Sequence, residues 1–253
     1  MNKASRLVQR TFLTLLLFNT LAASLIWGIN TLFLLDAGLS NAEAFAANAF
    51  FTAGLAVFEI PTGVIADLRG RRVSYLLGVF TLTTSTLLYL YMWYVSARFW
   101  AWALSSMLLG LGFTFFSGAT EAWLVDALAA SGFKEKLESV LAKGEIVEGS
   151  AMLAGSIAGG LIAQLTNLGV PYIVRAGLLV LNFVAAFLLM KDLGFKPGKI
   201  SHKRDQSHSR RFDEIWVAQP TCALVDACCP FYRWRHDLRV LCHAAVPVGT
   251  VWG

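Results

Sequence analysis

Along the chain, apolar positions gather into six blocks separated by short polar connections. Each block runs about 20 residues or more, the length a helix needs to cross a hydrocarbon core of about 30 Å. One such block would fit a buried core helix; six predict an all-α integral membrane protein. The blocks place transmembrane helices at Thr11 to Leu35, Ala42 to Ala66, Val73 to Val95, Phe99 to Leu128, Glu145 to Leu168 and Pro171 to Met190.

Charge in the connections sets the orientation. Lys3, Arg6 and Arg10 precede the first span, Arg69, Arg71 and Arg72 fill the second connection, and Lys134, Lys136 and Lys143 the fourth. The first, third and fifth connections together contribute only Arg98. Basic residues concentrate on the cytoplasmic side of membrane proteins, so both termini are expected in the cytoplasm of a multi-pass protein of the cell (inner or plasma) membrane. The net charge of +5 and pI near 9.1 then reflect topology and not a nucleic-acid partner. Tyr91, Trp93, Tyr94, Trp100 and Trp102 predict an outer interfacial belt. The first block is too long for a cleavable leader and lacks a small-residue cleavage site, so it is expected to be retained. The fourth connection, Ser131 to Gly144, reads either as a short helix on the inner surface, with Phe133, Leu137, Val140 and Leu141 on one face, or as a polar loop.

Composition agrees with a lipid environment: 57% of residues are apolar and 15% charged, with a mean hydropathy of +0.60. All four cysteines lie near the end, at Cys222, Cys228, Cys229 and Cys242, so the spans offer no thiol chemistry. They contain no metal-ligand cluster, nucleophile triad or phosphate loop either. An enzyme is not expected, nor a cofactor.

The segment Glu59-Ile-Pro-Thr-Gly63-Val-Ile-Ala-Asp67-Leu-Arg-Gly70-Arg71-Arg72 ends the second span and enters the third. Gly63 suits close helix approach, Gly70 suits a turn too tight for a side chain, and Asp67 and Arg71 are four apart, within pairing reach. The segment resembles the signature loop of the major facilitator superfamily (MFS), although Leu68 stands where a basic residue is common. Ser117-Gly-Ala-Thr-Glu121-Ala-Trp-Leu-Val-Asp126-Ala-Leu, ending the fourth span, is similar to the same superfamily. The resemblance covers about residues 1 to 200. It implies two inverted three-helix repeats, half of an MFS fold, which is the architecture for which this superfamily is a standard example. It further implies an inner charge network of Asp67, Arg71 and Asp126 with Gly63, Gly70 and Arg72, and transport of a small solute by alternating access, most often driven by protons. Ala154-Gly155-Ser156-Ile-Ala-Gly159-Gly160 resembles an element of the superfamily's exporters, with Ser156 in place of proline. That slightly favours export, although the small residues also suit plain helix packing.

Ionisable groups inside spans usually face a cavity or a partner. Glu59 and Glu121 are candidates for proton coupling or for the inner network. Asn19 and Asn30 are eleven residues apart, nearly one helix face, so with Trp27 they either line a solute cavity or bond neighbouring helices. Arg175 is expected to snorkel to the outer interface, with anion binding as the alternative.

The chain divides into a six-helix bundle, 1–192, and a linker and tail, 193–253. From about Ile200 basic residues crowd together, and no clear periodicity follows. A zinc site built from the tail cysteines with His236 and His243 matches no standard spacing. A frameshift reads better: with freely chosen codons, Glu214 to Cys228 and Phe231 to Gly253 shifted by one nucleotide yield a linker end and then an apolar span. The expected partners are therefore a small solute, the lipid bilayer, and a missing carboxy-terminal half or a second copy. A six-helix scaffold that does not transport, or a homodimerising half, is the alternative.

Overall fold

The computed structural model describes residues 3–192 other than Ser117, Lys134 and Glu135. The readings made for 193–253, the zinc site and the frameshift among them, lie outside the described residues. Within them the elements are α1 (Lys3–Trp27), α2 (Asn30–Asp36), α3 (Asn41–Arg69), α4 (Arg71–Tyr94), α5 (Phe99–Thr114), α6 (Ala119–Ala130), α7 (Leu137–Leu165) and α8 (Val170–Leu189). They make six membrane-length spans: α1 continued by α2, then α3, α4, α5 with α6, α7 and α8. A helix satisfies its own backbone, which is why the apolar blocks take this form in lipid.

Local chemistry fixes the ends. Ser40 and Glu43 form a reciprocal capping box at the start of α3. The Asn167 side chain accepts from the backbone N–H of Gly169 and Val170 just before α8, where Pro171 occupies the first turn. At the inner side α7 begins at Leu137, about two turns before Glu145, so the second part of the fourth connection belongs to span 5 and is neither a separate surface helix nor a loop.

Spans 1 and 4 are both interrupted. Span 1 breaks at Gly28 and Ile29; span 4 breaks between Thr114 and Ala119, where Gly118 takes φ +70°. Counted from the predicted span starts, each break falls after about five helical turns. That is the first sign that the two halves of the bundle are equivalent.

Packing supplies the second. Span 1 packs mainly on spans 5 and 6, span 4 on spans 2 and 3, and span 3 on span 6. Exchanging the first three spans for the last three maps every one of these pairs onto another or onto itself. Equivalent spans are three positions apart, an odd offset, so the repeats run in opposite directions across the membrane, as an MFS half requires.

Two of these pairs, spans 2 with 4 and spans 1 with 5, are built on glycine. Between spans 2 and 4, a Cβ on Gly54 would lie 2.6 Å from the Met107 carbonyl oxygen, and one on Gly110 2.5 Å from that of Phe51. Between spans 1 and 5, Gly155 and Gly159 leave no room for a side chain against Ser24 and the Leu25 carbonyl. Ser24 also donates to the Ala151 carbonyl across that seam at 3.3 Å. Lipid provides little hydrophobic drive between helices, so contact at this range holds the pairs together. Packing is thus the role the described structure gives the Gly155 and Gly159 element. Gly63, by contrast, has nothing within 4 Å of an added Cβ, so no helix among the described residues approaches closely there.

An aromatic layer closes the end of the bundle away from Gly70. Phe33 stacks on Tyr172 with centroids 4.1 Å apart, and Tyr89 meets Trp102 edge-on at 5.3 Å. Trp102 is fully buried and Trp93 partly so, donating to Asp36 at 2.8 Å. Only Tyr91, Tyr94 and Trp100 of the predicted belt are exposed to act as one.

Candidate gating loop and intramembrane polar groups

The second connection is a single residue. Arg69 ends α3, Arg71 begins α4, and Gly70 between them takes φ +102° and ψ +152°, a conformation essentially restricted to glycine. Its missing side chain has a second use, since a Cβ would lie 3.2 Å from Oδ2 of Asp192.

This reversal sets Asp67 and Arg71 together. Arg71 Nη1 lies 2.7 Å from Asp67 Oδ1, with side chains 23% and 61% exposed respectively. The pair spans a chain reversal between two helices, not one turn of a single helix. At that exposure it contributes well under about 1 kcal/mol, weak enough to open and close with the helices that carry it. Asp126, expected to complete the network, is half-buried near the end of α6 and joins no ion pair among the described residues.

Arg72 points elsewhere. Its backbone N–H donates to Asp192 Oδ1 at 3.1 Å, and Nη2 donates to the carbonyl oxygen of Phe187 at 2.7 Å. The indole N–H of Trp123, on α6, donates to the Lys191 carbonyl at 2.8 Å. The end of span 6 is therefore held by the start of span 3 and the second helix of span 4. Such side-chain donors complete carbonyls that a helix C-terminus leaves unsatisfied.

The remaining candidates do not converge. Gly28 interrupts the helix, so the eleven-residue spacing of Asn19 and Asn30 does not put them on one face. Asn30 accepts from the Tyr172 hydroxyl at 2.7 Å and donates to Asn48 at 2.9 Å, bonding spans 1, 2 and 6. Asn19 keeps a buried amide oxygen without a partner. Trp27, at 45%, is exposed. Glu59 is exposed near the inner end of α3, and Glu121 is exposed in the first turn of α6, where a carboxylate complements the free N–H groups of a restarted helix. Neither joins an ion pair among the described residues.

Arg175 is the clear correction. It is 1% exposed and does not snorkel; its Nε donates to Thr86 on span 3 at 3.1 Å. Sequence reading also missed Asp192, and the buried pair in which Tyr75 and Asn182 bond across spans 3 and 6 at 3.2 Å. Both contacts join positions more than a hundred residues apart, so no local spacing announces them. Among the described residues no group of three His, Cys, Asp or Glu could hold a metal ion.

Comparison with known proteins gives a consistent result. The family profile described as Major Facilitator Superfamily matches residues 12–245. No curated protein matches the sequence. Among solved structures, a mutant of the peptide transporter POT in complex with sulfate is similar at a TM-score of 0.58 and 14% identity, over 93% of this chain and 48% of that one. The mutant in complex with alafosfalin is similar at 0.58 and 14%, over 86% and 46%. At that identity the likeness concerns the fold alone. The chain spans about half the length of these solved relatives.

Proposed function

Since this chain belongs to the major facilitator superfamily, we propose that it forms the amino-terminal half of a secondary transporter that moves a small solute across the cell membrane by alternating access. The observation that carries the reading is the inverted pairing of the spans, with breaks at equivalent places in spans 1 and 4. Interrupted helices at a repeat interface are where transporters expose backbone groups to a solute near the bilayer midplane.

The single-residue turn at Gly70, with its weak Asp67 to Arg71 pair, is the inner gate in this proposal, and Asp126 approaches the pair only in another state of the cycle. Glu59 and Glu121 supply carboxylates for proton coupling. Both termini lie in the cytoplasm, and export is favoured over uptake. Spans 2 and 5 are the least buried of the six and present apolar faces, including Ile60 and Val64 on one and Leu153 and Ile157 on the other. Those faces take up the second half of the transporter, or a second copy of this chain.

Everted vesicles carrying the chain, alone and extended by a second half, test this. Accumulation of a dipeptide or a lipophilic fluorescent dye is followed with and without a proton gradient. Gradient-dependent accumulation that is lost in Asp67→Asn and Arg71→Ala is the expected result. Unchanged transport in both variants removes the gate assignment, and no accumulation in either form favours a non-transporting scaffold.

A further inference from the structure

Outside the gate, the most unusual group in the bundle is the Arg175 guanidinium. It sits on α8 about 8 Å from the helix start at the outer side, given 1.5 Å rise per residue. It is 1% exposed, and Nη1 and Nη2 are buried with no acceptor. No carboxylate pairs with it among the described residues. Guanidinium keeps its proton in proteins, so the charge cannot be removed by neutralisation. A buried, unpaired cation costs several kcal/mol, which makes an absent counter-charge the simplest completion.

The neighbouring polar groups are donors, or already engaged. Thr86 accepts from Arg175 Nε and donates to the Leu82 carbonyl at 2.7 Å, so its proton is committed. Tyr172 donates to Asn30. Tyr89 and Ser106, whose oxygens are 2.6 Å apart, share one hydrogen bond between two hydroxyls, which leaves one O–H proton over. Tyr89 lies one turn after Thr86 on α4 and stacks on Tyr172 with centroids 6.1 Å apart, among the neighbours of the guanidinium. Two free NH2 groups and a spare hydroxyl, with no acceptor, are the donor set of an anion.

We propose that Arg175, with Tyr89 and Ser106, binds a single small inorganic anion of halide size inside the six-helix bundle, below the aromatic layer. Its residues come from spans 3, 4 and 6, and the site does not rest on the transport reading. A water molecule is the competing occupant, and it brings no charge.

The test is thermal unfolding of the full chain in detergent, with sodium chloride replaced stepwise by sodium gluconate at constant ionic strength. The melting temperature is expected to rise saturably with chloride, as mass action requires of a ligand bound only by the folded state. Bromide should replace chloride, and Arg175→Gln should abolish the dependence. Should Arg175→Gln fail to fold, Tyr89→Phe and Ser106→Ala keep the cation, and at least one should raise the half-saturating chloride concentration about tenfold, the effect of losing one hydrogen bond to a charged group. A melting temperature indifferent to chloride in the wild type overturns the proposal in favour of water. So does an equal chloride effect in Arg175→Gln, or half-saturation unchanged in both hydroxyl variants.

Discussion

The guanidinium of Arg72 donates to the main-chain oxygen of Phe187 at 2.7 Å and lies over the ring of the same residue at 5.3 Å. One side chain therefore ties the start of span 3 to the end of span 6 by a charge-assisted hydrogen bond and a cation–π contact. The motif that names the loop by its basic residues thus contains two different arginines: Arg71 faces the exposed acid and Arg72 secures a helix terminus.

Arg72→Gln is expected to loosen the last turn of span 6 while leaving the Asp67 to Arg71 pair in place. Hydrogen exchange of the amides of Leu189 and Met190 should accelerate severalfold, with little change at the ends of spans 1 and 5. Arg72→Lys should restore less than half of the protection, because a point charge lacks the planar fork that serves both contacts.

Gly70→Ala is expected to destabilise the bundle by about 1–3 kcal/mol, the range for a side chain forced into a sparsely populated backbone region. Thermal unfolding measures it. Asp192→Ala should not rescue the variant, since the backbone strain remains once the neighbouring carboxylate is gone.

The helix seams give a paired prediction. Gly159→Ala should cost about 1–3 kcal/mol by overpacking against the Leu25 carbonyl. Gly63→Ala and Gly160→Ala meet nothing within 4 Å and should be neutral or slightly stabilising, because alanine restricts the unfolded chain. Three unfolding curves decide whether the superfamily glycine at position 63 serves this half or a surface outside it.

These positions also mark where sequence stopped being informative. The six spans were legible because length and apolarity alone define them, and the inverted repeat followed from resemblance. The interruptions were not, since Gly28 and Gly118 sit inside predicted spans where glycine is ordinary. Arg175 was misplaced because its depth in the membrane follows from sequence but the direction of its side chain does not. Gly63 and Gly159 look alike on paper, and only the position of a neighbouring helix tells them apart.

Tyr75 and Asn182 bond to each other, and the Tyr75 hydroxyl also reaches the Leu15 carbonyl at 3.4 Å. Asn182→Leu alone should cost about 1–3 kcal/mol, largely by leaving the buried tyrosine hydroxyl with only the long contact to the Leu15 carbonyl. The double variant with Tyr75→Phe should recover part of that loss. A double variant as unstable as the sum of the singles would show that the two groups act independently.

The one-residue connection at Gly70 also limits how the bundle can deform. With a single residue between them, the Cα atoms of Arg69 and Arg71 can separate by no more than about 7 Å. Spans 2 and 3 are thus two arms of a compass joined at that turn. Their far ends can splay by a large arc for a small rotation, whereas their near ends cannot part, so any relative motion of this pair is greatest at the opposite face of the membrane.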